Sequence, residues 1–297
     1  MTAFSAGDST IVLLTPLDLE YSAMRSFLTD IDEFPHDRGT LFEVGRLAGV
    51  PWSVALVAAD AGNRTAAVLA ERAIATFAPL ALVVVGIAGA LKDDIEIGDV
   101  VASSWVYSYG DGKEDDEGFQ TRPRAWRSSH RLAEAARVVG RQGEWTASLA
   151  TALSAERTPD FHYKPIAAGE VLLNSRTRSL AKQLGRTHND AAAIEMESAG
   201  VADAAHLNDD LPILTVRGIS DKADGSKHPN ADRELQPAAA LHAASFTAAL
   251  LRKLPALLSP PAERRSGRMM VQNNLAASNS TMYVVQHGSQ YFTHPDN

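Results

Sequence analysis

The sequence predicts an α/β domain built on a mainly parallel sheet. Short aliphatic and β-branched runs recur along the chain, and segments with helical spacing stand between them. Residues 81–85 are uncharged and β-branched, as a central strand covered on both faces must be. The alternation stops near Leu258, where Ser259-Pro260-Pro261 and Arg264-Arg265-Ser266-Gly267-Arg268 read as a linker.

The elements follow in order. Residues 11–15 form an apolar run stopped by Pro16 and read as a buried strand. Leu19, Ala23, Met24 and Phe27 share one face of a helix over residues 19–28. Residues 41–47 and 52–59 read as two strands joined by the turn Ala48-Gly49-Val50-Pro51. Asn63 is placed to cap a helix running to about Phe77, with Pro79 marking its end. After the central strand comes a turn, Gly86-Ile87-Ala88-Gly89-Ala90, and residues 99–106 resume a strand. Residues 107–124 are polar, acidic and glycine-containing, and read as a mobile loop. Helices are predicted at 127–139 and 144–154. In the second half, 166–173 is strand-like, 176–184 helical, 192–195 a strand and 197–206 a helix. Pro212 precedes a strand at 213–217, and 237–251 is an alanine-rich helix long enough to cover the sheet. There is no internal repeat. The expected organisation is a folded domain over residues 1–258 and a linker and polar tail over 259–297. The tail has too few large apolar residues for a core. It is read either as disordered or as a hairpin of residues 282–286 and 290–292 that docks on a partner, another copy or the main domain.

Composition narrows the function classes. At 297 residues and 45% hydrophobic, the chain can bury a large core. It has no cysteine, which excludes disulfides, thiolate metal sites and a cysteine nucleophile. No apolar run reaches the roughly 18–20 residues of a membrane span, and residues 1–10 do not read as a signal peptide, so a cytoplasmic protein is expected. A net charge of −8 without a basic stripe argues against a nucleic-acid polymer as partner. A small anionic ligand needs only a few local arginines. His162, His188, His206, His228 and His242 lack metal-ligand spacing, and neither a metal nor a cofactor is expected.

The chemistry concentrates in two stretches, Ala193-Ile194-Glu195-Met196-Glu197-Ser198 and Val216-Arg217-Gly218-Ile219-Ser220-Asp221. Each sets carboxylates beside strand-like residues, where they are costly unless paired or used. Such a site suits hydroxyls and protons. Singly, each feature has an ordinary explanation: Glu195 and Glu197 as helix N-terminal carboxylates, Asp221 as a cap, Glu20 as a solvated first-turn residue. Their joint occurrence, in order and in matching strand contexts, outweighs these.

With Leu13-Leu14-Thr15-Pro16-Leu17-Asp18-Leu19-Glu20, Gly86-Ile87-Ala88-Gly89-Ala90-Leu91 and Ile97-Gly98-Asp99-Val100-Val101, these stretches resemble the purine-nucleoside phosphorylase superfamily. Within it they most resemble the methylthioadenosine/S-adenosylhomocysteine nucleosidases, over about residues 11–254. The resemblance implies a mixed, partly barrel-like central sheet flanked by helices, followed by a short polar tail. It implies hydrolysis of the N-glycosidic bond of an adenine nucleoside, with Asp221 as general acid at the base and Ser220 orienting it. A carboxylic acid that gives up a proton near neutrality needs a partly dry pocket. Glu197 and Met196 would hold the ribose and Glu20 would activate water, while Glu195, Ala88, Gly89, Leu172, Leu173 and Arg217 complete the substrate site. The resemblance also implies a homo-oligomer.

Two departures stand out. Val171, Leu172 and Leu173 occupy the region where the family stacks the purine on a phenylalanine. Lys113, Arg122 and Arg124 in the polar loop, with Arg176 and Arg178 at a helix start, are candidate phosphate contacts. With the tail, they resemble effector modules of bacterial conflict systems, some of which act on adenine nucleotides. The alternatives are therefore an AMP or ATP nucleosidase effector, a phosphate-dependent phosphorylase, and a non-catalytic nucleotide-sensing module whose tail docks a partner.

Overall fold

A computed structural model describes residues 9–116, 118–147, 149, 157–225 and 229–255. The described residues belong to one compact unit. The expected tail hairpin lies outside the described residues.

Strand β1 (Thr10–Thr15) runs between β4 (Ser53–Ala58) and β5 (Ala81–Ala90), parallel to both. Side chains on a strand alternate between faces, and both faces are covered here. Ile11, Leu13, Val83 and Val85 enter one core, and Val12, Leu14, Leu82 and Val84 the other. That double burial is why these strands read as uninterrupted apolar runs. Beyond β4 lie β3 (Leu41–Leu47) and β2 (Leu28–Pro35), both antiparallel.

On the other side, β5 pairs with β12 (Ile213–Asp221), then come β6 (Val100–Ser108), β10 (Phe161–Ala168) and β11 (Ala193–Glu195). Strand β11 turns back onto β5 through Ala193–Ala90 and Ile194–Gly89, so five strands close into a barrel. The partly barrel-like mixed sheet implied by the resemblance is thus present. Short strand β9 (Arg124–Arg127) adds to β6. Helices α1 (Asp18–Arg25), α3 (His130–Gln142) and α6 (Pro229–Lys253) cover one face, and α2 (Asn63–Phe77) and α5 (Ser198–Leu207) the other. Helix α4 (Ser179–Thr187) follows β10.

Glycines set the closest approaches. A Cβ on Gly218 would collide with the Ala239 carbonyl oxygen, so β12 and α6 touch backbone to backbone. A Cβ on Gly200 would collide with the Asn63 carbonyl, which presses the start of α5 against the start of α2. No helix among the described residues is long and apolar enough to cross a membrane.

Several expectations change. Strand β2 has no counterpart in the sequence pattern, because its residues 29, 30, 32 and 33 are polar and exposed at an edge. The glycine stretch 86–90 continues β5 instead of turning. Residues 107–124 are not a plain loop: β6 extends to Ser108, and β7 (Gly112–Asp115) pairs with β8 (Gly118–Thr121) in a hairpin. Asn63 does not cap its helix. Gly62 holds the cap position, and the Asn63 Oδ1 accepts the Gly200 N–H at 2.9 Å. Arg127 belongs to β9, so α3 starts at His130. Of the helix expected at 144–154, the described part is a 3₁₀ turn at Glu144–Thr146.

Candidate active site

Where β11 closes the barrel against β5, a cavity of about 220 Å³ opens. Its floor is built around Arg217, whose strand position in β12 leaves the side chain fully buried. The guanidinium pairs with Glu195, and with Glu197 Oε2 at 2.9 Å. Glu195 also accepts the N–H groups of Glu197 at 3.0 Å and Ser198 at 3.1 Å, fixing the start of α5. Glu197 accepts the Gly62 N–H at 3.1 Å and lines the cavity. Of the two glutamates, Glu195 thus also carries the helix N-terminal role.

Glu20 reaches the same floor from α1. Its Oε2 accepts the Leu17 N–H at 2.6 Å, capping its own helix, and its Oε1 accepts the Ile87 N–H at 2.6 Å. Gly86 makes this convergence possible: a Cβ there would lie 2.5 Å from Glu20 Oε1 and closer still to Arg217. Burial pushes the Glu20 carboxyl up to about 7, although the charge of Arg217 and two backbone donors pull it down. Burial likewise raises Glu197 to about 7 against the pull of Arg217, with Glu195 adding repulsion. Three carboxylates share one guanidinium, so the floor carries an excess of negative charge.

The opposite wall holds Ser220 and Asp221. Register shifts between Ile219 and Asp221 where β12 meets β5, a bulge that re-aims the strand end. Ser220 Oγ donates to Asp221 Oδ2 at 3.0 Å, and the Ala223 N–H donates to Oδ1 at 2.9 Å. Gly89 leaves room, since a Cβ there would lie 2.9 Å from Asp221 Oδ1. Ala88, Gly89, Ile194, Leu172 and Met196 complete an apolar slot between the carboxylates.

Most of the sequence-derived residues therefore line one cavity: Glu20, Ala88, Gly89, Leu172, Glu195, Met196, Glu197, Arg217, Ser220 and Asp221. Leu173 does not. It is buried in a cluster with Tyr109, Leu184 and Ala223. None of the candidate phosphate contacts lines this cavity. Lys113 pairs with Asp115 in the β7–β8 hairpin, and Arg122 and Arg178 are exposed. Arg124 lines a neighbouring cavity of about 420 Å³ with Arg64. Arg176 is spent on Asp93 and on backbone carbonyls.

Sequence reasoning missed Pro16, Leu17, Ala61 and Gln236 in the lining, and the N–H groups of Gly62 and Ile87. Gly62 had a signal: glycine one residue before a helix, here at φ +117. Gln236, far along the chain, had none. Among the described residues, no group of three metal-ligating side chains could hold an ion.

The chain matches the Phosphorylase superfamily over residues 10–255. It is 27% identical over 274 residues to the ATP nucleosidase Cap17 of Escherichia coli (strain KTE188), covering 82% of this chain and 51% of that protein. The chain thus spans about half the length of that relative. It is 30% identical over 194 residues to the 5′-methylthioadenosine/S-adenosylhomocysteine nucleosidase of Maridesulfovibrio salexigens, covering 62% of this chain and 75% of the relative. Among solved structures, it resembles the corresponding nucleosidase of Colwellia psychrerythraea in complex with adenine, with TM-score 0.69, 22% identity, and 83% and 96% of the two chains covered. The futalosine hydrolase of Helicobacter pylori is similar at TM-score 0.67 and 20% identity, covering 83% and 98%.

Proposed function

Because this chain belongs to the phosphorylase superfamily, we propose that it hydrolyses the N-glycosidic bond of an adenine nucleoside, of the methylthioadenosine or S-adenosylhomocysteine type, and releases adenine. The observation that carries this reading is the charge of the floor. Breaking the bond between sugar and base leaves positive charge on the ribose, and Glu20, Glu195 and Glu197 outnumber the single Arg217 where that charge develops. Asp221, oriented by Ser220, gives a proton to the departing base. Glu197 accepts hydrogen bonds from the ribose hydroxyls, and Met196 packs on the sugar. Glu20 takes a proton from the attacking water, whose oxygen bonds to the anomeric carbon as the bond to nitrogen breaks. A phosphate nucleophile is disfavoured, since Arg217, the one basic side chain in the lining among the described residues, is already held by two glutamates.

A second reading, an adenine nucleotide as substrate, is favoured by the adjacent cavity and its Arg64 and Arg124. Both readings meet in one test: base release by chromatography from methylthioadenosine, S-adenosylhomocysteine, adenosine, AMP, ATP and inosine, with and without phosphate. Adenine released without phosphate supports hydrolysis and names the substrate. Release only with phosphate makes the protein a phosphorylase, and no release from any member favours a sensing module. A homo-oligomer, a docking role for residues 259–297 and a cytoplasmic location belong to the same proposal. Light scattering of the full chain and of one truncated after Leu258 tests the first two, and cell fractionation the third.

A further inference from the structure

The acid Asp221 sits at the head of a tight turn whose backbone is left-handed at Ala223, φ +49, and at Gly225, φ +92. A non-glycine residue at such an angle persists only where its surroundings hold it. The turn is held from two sides. Lys222 Nζ donates to the Ile95 carbonyl at 2.5 Å and pairs with Glu96 at 2.9 Å. From the other side, Arg176 Nε donates to the Lys222 carbonyl at 3.1 Å, and its Nη2 to the Ala90 carbonyl, the end of β5, at 3.4 Å. Its pair with Asp93 faces solvent, Asp93 being 93% exposed, and contributes little. The carbonyl bonds tie the segments together.

Arg176 stands four residues after Leu172, the cavity wall, on a segment pinned at its start by Tyr109, whose hydroxyl donates to the Val171 carbonyl at 2.6 Å. One side chain thus joins the strand behind the base slot, the segment in front of it and the turn that aims the acid. We infer that Arg176 is a positioning residue: it latches the base-slot segment to the acid turn and so fixes the aim of Asp221. This rests on the proposed reading of the site as a nucleosidase.

Steady-state kinetics of adenine release, on the full chain, tests it. In Arg176→Ala, kcat is expected to fall at least about ten-fold, part of the worth of a general acid, with KM within about three-fold. Arg176→Gln keeps a donor for the Lys222 carbonyl and should recover part of the loss, while Asp93→Asn, which removes only the exposed pair, should match wild type. An unchanged kcat, or a fall in kcat that the glutamine variant does not partly recover, overturns the latch. If Arg176→Ala does not fold, the glutamine variant carries the test, and a wild-type kcat in it overturns the latch as well. A wild-type protein that releases no base overturns the nucleosidase reading instead, so the two failures are distinguishable.

Discussion

Asp99, just before β6, and Glu20, in the first turn of α1, are both buried carboxylates near an arginine, and they end in opposite states. Burial pushes Asp99 upward, but donors from His162, Arg157, and the Asp160 and Glu96 backbones outweigh it and hold the group well below the carboxylate range. Burial also pushes Glu20 upward, and there it wins, because Glu20 has two backbone donors and shares Arg217 with Glu195 and Glu197. The difference is the ratio of donors to carboxylates. A saturated carboxylate is inert glue. An under-satisfied one keeps proton affinity near neutrality, which is what a base needs.

The largest expected effect breaks the floor. Glu20→Gln removes the base without removing bulk, and kcat for adenine release should fall about 10²–10⁴-fold. Turnover within two-fold of wild type removes Glu20 from the chemistry. The matching change in the saturated cluster, Asp99→Asn, should leave kcat of the folded protein near wild type. It should cost about 2 kcal/mol of stability, below the full value for a buried pair because Arg157 is 42% exposed. Denaturant titration and kinetics on one sample separate the two. If Asp99→Asn lowers kcat as much as Glu20→Gln, the contrast is false.

pH sharpens the comparison further. Glu20 and Glu197 are raised in the folded state, so the stability they contribute is fully present below about 4.5 and lost as pH rises through about 7. Asp99 is lowered, so its contribution is present above the ordinary aspartate value of 3.8 and lost only in stronger acid. Of these three carboxylates only the glutamates change between pH 5 and 8. Glu20 should lower Tm by several degrees across that window, while kcat rises on an acid limb near pH 7. The Tm effect is read as the difference between wild type and Glu20→Gln, because burial lowers His188 and His242 and their contribution runs the other way. A Tm difference between wild type and Glu20→Gln that stays flat from pH 5 to 8 would show that Glu20 does not titrate there.

The same contrast explains how much could be read in advance. Doubly covered strands such as β1 and the start of β5 announce themselves as apolar runs, and the carboxylates stand out because burying them is costly. Donor counts do not announce themselves. Arg217 is 20 and 22 residues from its two glutamate partners, and no local pattern says that it serves them. Gly86 and Gly89 look like a turn, yet they lie within a strand because the side chains of Glu20, Arg217 and Asp221 need the space. Arg176 looks like any surface arginine, because its partners are carbonyls, which every residue has.

The smallest expected effect leaves charge aside and concerns the slot above the floor. Leu172 lines it while 65% exposed, so it offers an aliphatic edge to a ligand's ring. A phenylalanine there would add a stacking face worth about 1 kcal/mol, gained equally by bound substrate and transition state. Such uniform binding lowers KM and leaves kcat alone. Leu172→Phe should therefore lower KM for the adenine nucleoside about three- to five-fold at constant kcat. Because the floor is untouched, the acid limb near pH 7 should stay in place. A change in kcat with KM fixed would mean that the segment carrying Leu172 also sets the aim of the acid, and would join this wall to the turn that Arg176 holds.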